Sequence, residues 1–154
     1  MTPENVWDYP RPPRLEPVGE AVRIELGGRI VAETSRAMRV LETSHPPVYY
    51  LPPDAFSCEV LQRPGGSVCE WKGRARYWSL AVDGRTAEDA AWSYPDPMPA
   101  FAPIRDHLAV YAGRVDACFV GSERVTPQPG DFYGGWITTN LTGPFKGGPG
   151  SRGW

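Results

Sequence analysis

Apolar and polar residues alternate along "AVRIELGGRIVAET", Ala21 to Thr34. Val22, Ile24 and Leu26 fall on one face, Arg23 and Glu25 on the other, which is the two-residue period of a half-buried strand. Gly27-Gly28 supplies the positive φ angles of a tight turn, so the pattern predicts a hairpin that returns through Ile30 to Glu33. Ala37 to Glu42 fits a strand or one helical turn, because Val40 and Leu41 stand side by side and leave the period open. Pro46-Pro47 and Pro52-Pro53 bracket "VYYL", a short β segment whose adjacent tyrosines point to opposite faces. Pro53-Asp54 opens a helical turn, and "CEVLQ" reads as a strand that ends at "RPGGS".

From Val68 the pattern is β through Val82. Asp83-Gly84 is a two-residue hairpin signal, and Arg85 to Tyr94 runs back. "DPMPAFAPIRDHL" is the one helix predicted, with Asp96 as N-cap, Pro97 at the first helical position and Pro103 as a kink. "VDACFV" and "ERV", joined by "GSE", form a last hairpin.

The two ends break this rhythm. Residues 1–17 hold five prolines and read as an extended arm, unable to take a central place in a sheet because proline lacks the donor. Residues 127–154 hold eight glycines, four prolines and five large aromatics. Gly and Pro at that density suggest a linker, but disordered segments are poor in aromatics. The expected organisation is an arm over 1–20, a single β domain over 21–126, and an irregular docked tail over 127–154. Trp136 is expected to be buried, against the Trp7-Tyr9 arm, with the final "GGPGSRGW" held loosely. Five rings cannot by themselves order so long a tail, so backbone hydrogen bonds or a second copy of the chain, as a homodimer, must add to them.

Composition narrows the function classes. The formal net charge of −2 gives no basic excess of the kind a general nucleic-acid binder carries. Only Lys72 and Lys146 are lysines among sixteen basic residues, which a GC-rich genome explains. Cys58, Cys69 and Cys118 are odd in number and form no C-x-x-C, against a disulfide framework or a zinc ribbon. No apolar run approaches the ~20 residues that span a bilayer. The reading is a soluble protein of a reducing cytoplasm, with no nucleic-acid or membrane partner and no cofactor.

"CEWKGRARYW", Cys69 to Trp78, mixes charges with rings. As one strand, Cys69, Trp71, Gly73, Ala75 and Tyr77 would face the core, and Glu70, Lys72, Arg74, Arg76 and Trp78 the other side, unless Gly73 adds a bulge that resets the parity. Rings and bases then need not share a surface, and a stacking platform for single strands would rest on Trp78 alone. "WDYPRPP" and "WSYPDP" share W-x-Y-P, too little for a duplication and best read as two aromatic-proline corners.

"LETSHPPVYYLPPDAF", "CEWKGRARYWSLAVDGR" and "AAWSYPDPMPAFAPIRDHLAVY" together resemble the bacterial family filed as domain of unknown function 427, from about Ala21 to Val125. Glu42, Tyr50, Cys69, Trp71, Lys72, Gly73, Ala75, Tyr77, Trp92, Tyr94 and Pro95 fall where that family's pattern would put them. The resemblance implies a small all-β domain, two antiparallel sheets in a tent-like arrangement related to zinc-binding β-tents. The paired cysteines of those relatives are missing here, so no structural metal is expected. A nucleotidyltransferase-like label is attached to the family. That chemistry needs neighbouring carboxylates to hold Mg²⁺, and "GSERVTPQPGD" carries a Gly-Ser with no D-x-D beyond it.

The family-like stretches put Glu42, His45, Tyr50, Trp71, Lys72 and Tyr94 forward as ligand-binding candidates. Lys72 beside Trp71 has the chemistry of a base or nucleophile; the plainer reading is a snorkelling lysine paired with Glu42 or Glu70. His45, in "SHPP", has the chemistry of a general acid/base or is simply a solvated loop histidine. His107 suits a helix C-terminus, and Cys69 a small core position. No nucleophile elbow, phosphate loop or HExxH occurs. Three function classes follow: a module binding a small polar ligand in an aromatic-lined cleft, an enzyme working through Lys72 or Glu42, and an interaction protein working through its arm and tail.

Overall fold

The computed structural model describes residues 2–69, 71–130 and 132–154. It is mainly antiparallel β, in open sheets that do not close into a barrel. One four-stranded sheet runs in the order Ala109–Val110, Arg85–Ser93, Arg76–Val82, Glu59–Arg63, and a second in the order Glu123–Arg124, Ala117–Val120, Val22–Leu26, Arg29–Thr34. A third, of three strands, is Arg14–Pro17, Met38–Leu41 and Val48–Tyr50. Its first strand, which ends the arm at Pro17, lies at the edge, where a residue without a donor is tolerated.

The hairpins form where turn chemistry and alternation agree. Gly27 and Gly28 both have positive φ, 64° and 76°, and so do Asp83 and Gly84, 47° and 78°. Two successive left-handed residues match the twist of the flanking strands. Val22, Ile24 and Leu26 are then all fully buried, each contributing roughly 1.5–3 kcal/mol.

Alternation also explains how the two larger apolar cores share their walls, a third and smaller cluster gathering Val6, Tyr9 and Leu41. Tyr49 enters the cluster around Ile24, Leu80 and Trp136, while Tyr50 enters the cluster around Trp92, Tyr94 and Phe101. Ala91 and Trp92 divide in the same way, as do Val110 and Ala109. These strands are shared walls, and the second core is the one that opens into a cavity.

The stretch from Val68 to Val82 is not one strand. Val68–Cys69 folds back on Gly73–Arg74 in a small hairpin before Arg76–Val82 begins. Gly73 takes φ +100°, and a Cβ there would lie 3.1 Å from the Asp96 carbonyl oxygen, so the turn requires glycine. The predicted helix also starts later. Its six residues, Pro99–Ile104, are 3-10 with Met98 as cap, and Asp96 stays outside, 3.4 Å from Arg105.

Arm and tail are built into the fold. Glu4–Asn5 pairs in parallel with Leu141–Thr142, and Thr126–Pro127 pairs with Trp136–Ile137. Trp136 is buried as expected, but not against the arm: its ring stacks on Tyr49 at 5.0 Å and its indole N–H donates to the Val110 carbonyl at 2.9 Å. The arm meets the last residues instead. Trp7 donates to the Pro144 carbonyl at 2.8 Å and meets the Trp154 ring edge-on at 5.3 Å. The final segment is therefore held, with Ser151 buried and bonded to Gly147 and Gly148. Glycine is what lets the tail lie this close: a Cβ on Gly134 would fall 2.1 Å from the Trp92 ring.

Candidate functional site

On the side of the second core lies a cavity of about 400 Å³. All six sequence candidates, Glu42, His45, Tyr50, Trp71, Lys72 and Tyr94, line it. They come from three separate stretches. Tyr50 arrives on the Val48–Tyr50 strand, Glu42 and His45 on the turn after Met38–Leu41, and Trp71 and Lys72 on the small hairpin. Tyr94 sits just past Arg85–Ser93, where a bridge to Arg105 fixes it.

The hairpin corrects the expected division of faces. Because the chain reverses between Cys69 and Gly73, Lys72 does not oppose Trp71, and both border the same space. Lys72 is only 8% exposed. Its ammonium lies 5.8 Å from the centroid of the Tyr94 ring and 5.9 Å from that of Phe101, at the outer limit of a cation–π contact. Among the described residues no carboxylate comes within ion-pair distance of it. The expected partner, Glu42, instead faces Arg11 at 3.5 Å and His45 Nε2 at 3.8 Å; Glu70, the other expected partner, lies outside the described residues.

His45 is not the solvated loop residue the flanking prolines suggested. The tail covers it: Tyr133 packs edge-on at 4.9 Å, and Gln128 Nε2 lies 3.3 Å from Nδ1. Burial, followed by the charges of Lys146, Arg11 and Lys72, pushes its pKa down to about 4, so the ring is neutral near pH 7. Gln128 Oε1 accepts the Gly135 N–H at 2.9 Å, which turns the amide NH₂ toward the imidazole. Nδ1 is thus the acceptor, and Nε2 carries the hydrogen toward Glu42.

Three of the cavity's phenols are neutral donors. Burial raises Tyr50 well above the usual phenol range, and raises Tyr94 and Tyr111 likewise. Cys69 lines the cavity at partial burial and packs against the second core, as a small core residue would. The 3-10 segment is capped by Arg105, whose N–H donates to the Ala102 carbonyl; His107 lies two residues beyond, its Nδ1 3.1 Å from the Arg105 carbonyl oxygen. Among the described residues no group of His, Cys, Asp and Glu could hold a metal ion, and no helix is long and apolar enough to cross a membrane.

Arg11, Gln128, Tyr133 and Lys146 also line the cavity, and the sequence motifs point to none of them. Lys146 Nζ donates to the Trp154 main-chain oxygen at 2.9 Å and stands 5.6 Å over the Tyr133 ring. The one signal available was lysine scarcity: both lysines of the chain border the same cavity.

Compared with known proteins, residues 14–121 match the family model described as a domain of unknown function (DUF427). No curated protein matches the chain. The six sequence candidates fall inside the matched residues, and the cavity's tail wall falls outside them.

Proposed function

The chain belongs to the DUF427 family, and from that premise we propose that it binds a small polar molecule in its aromatic-lined cavity. The observation that carries this reading is convergence. Six residues from three separated stretches border one space of about 400 Å³, within the range of small-molecule sites. Aromatic rings, most of them tyrosines, supply much of that border and a few charged or amide groups supply direction, which is how such sites combine affinity with orientation.

Arm and tail favour this over an interaction module. Tyr9 and Trp136 are buried inside the molecule and Trp7 meets Trp154, while Trp7 and Phe132 keep exposed surface. A catalytic role for Lys72 or Glu42 is a separate claim, and it requires a turnover that Lys72→Ala abolishes while binding persists.

The chain's own six tryptophans supply the test. In a fragment screen followed by indole N–H resonances, bound fragments should shift Trp71, Trp92 and Trp154, which line the cavity. Trp78, bonded to Ser93, and Trp136 should stay in place. A screen without hits, or hits that move none of the three cavity indoles, would remove the proposal.

A further inference from the structure

Among the described residues the cavity's side-chain charges do not balance. Arg11, Lys72 and Lys146 border it, against the single carboxylate of Glu42 among the described residues. That carboxylate is already committed to Arg11 and to His45, and His45 is held neutral by burial and by the same three cations. Lys146 has the Trp154 main-chain oxygen. Lys72 has nothing comparable: it is more than nine-tenths buried, with two ring faces near the distance limit and no carboxylate among the described residues.

A buried ammonium without a counter-charge is costly, and ring quadrupoles offset only part of that cost. Aromatic surroundings alone would suit a cationic ligand, as in the cages that hold quaternary ammonium groups. Lys72, the cation left without a counter-charge among the described residues, reverses that preference. The rings supply the rest of the recognition, since Trp71, Tyr94, Tyr111 and Tyr133 offer faces and edges for offset or T-shaped contact with a flat ligand.

We propose that the cavity takes a small aromatic anion, a planar ring bearing a carboxylate or a phosphate, with its charge met by Lys72 and its ring held among Trp71, Tyr94 and Tyr111. This rests on the ligand-binding function proposed above and assigns its chemical class.

Four probes of one shape decide it: 2-naphthoate, 2-naphthyl phosphate, 2-naphthamide and (2-naphthylmethyl)trimethylammonium, titrated calorimetrically into the full chain. At least one of the two anions should bind roughly tenfold or more tighter than the amide, about what one partly desolvated charge pair contributes, and the cation should bind weakest. The two anionic arms separate carboxylate from phosphate. Lys72→Met should erase the margin over the amide, and Lys72→Arg should keep it. If the amide or the cation binds as tightly as the tighter of the two anions, the cavity still holds a small molecule and the anion assignment falls. It falls equally if the margin survives in Lys72→Met. If no probe and no fragment binds, the ligand-binding function falls with it. Should Lys72→Met fail to fold, the margin in the parent chain and its retention in Lys72→Arg still decide the matter.

Discussion

Replacing Lys72 by methionine should make the protein more stable, not less. Methionine keeps the unbranched stem and its packing beside Tyr94 and Phe101, while removing an ammonium that is 8% exposed and unpaired among the described residues. Holding a charge in such a place costs several kcal/mol after relaxation. Two ring contacts at 5.8 and 5.9 Å contribute ~0.5–1 kcal/mol each. The net expectation is a gain of ~1–3 kcal/mol for Lys72→Met, within what buried charges replaced by hydrophobic residues of similar volume yield. In a chain of this size each kcal/mol raises the melting temperature by about 2–4 °C. Urea unfolding at pH 7, followed by circular dichroism, measures the gain directly. Lys72→Ala serves as control, since it removes the charge and the stem together and leaves a hole, and should fall well below Lys72→Met. A Lys72→Met protein less stable than the parent by ~1 kcal/mol or more would refute the reasoning, because it would mean the ammonium has a stabilising partner. Stability gained with binding lost is the mark of a group retained for function.

Two further expectations follow. His45 is held neutral with a pKa of about 4, below the ~6.5 of an unfolded chain, so its contribution is complete above pH ~6.5 and lost as pH falls through that window toward 4. The loss should be about 3 kcal/mol at most, and urea midpoints compared at pH 7 and 4.5 should differ less in His45→Gln than in the parent. Gly134→Ala drives a methyl into the Trp92 ring and should cost ~1–3 kcal/mol in urea unfolding, whereas Gly19→Ala, with open space around it, should change little.

The parts of the fold that alternate were readable. Val22 to Thr34 and Arg76 to Ser93 announce themselves through a period of two and through Gly-Gly and Asp-Gly turns. The breaks were not. Nothing in "CEWKGR" marks a reversal except Gly73, and a lone glycine in an alternating run signals a bulge as readily as the left-handed turn it makes here. The helix began at the second of two prolines that both suit a first helical position, Pro97 and Pro99, and nothing in the sequence separates them. Within the site, Glu42, His45, Tyr50, Trp71, Lys72 and Tyr94 could be named from their motifs, but not their pairings. Glu42 turns to Arg11 because the arm crosses beside it. His45 is buried because Gln128 and Tyr133 cover it from a segment without any period. Contacts made by a Gly/Pro-rich chain depend on close backbone approach, and hydrophobic patterning leaves no trace of that.

The doublet Tyr49-Tyr50 has a consequence for how the chain finds its register. A slip of one residue moves every side chain of a strand to the opposite face, and such slips are normally penalised because an apolar face becomes a polar one. Here a slip would still present a tyrosine to each core, so the side chains discriminate poorly between right and wrong pairing with Met38–Leu41. The choice passes to the backbone. Pro46-Pro47 and Pro52-Pro53 cannot donate to a ladder and so limit where pairing can start and stop. Between them, Leu51 and Leu108 exchange two hydrogen bonds, at 2.9 and 2.8 Å, that only the native alignment allows. That bridge joins residues far apart in the chain, and such contacts close late in folding. Until it closes, the strand that divides the two cores is free to choose the wrong tyrosine for each.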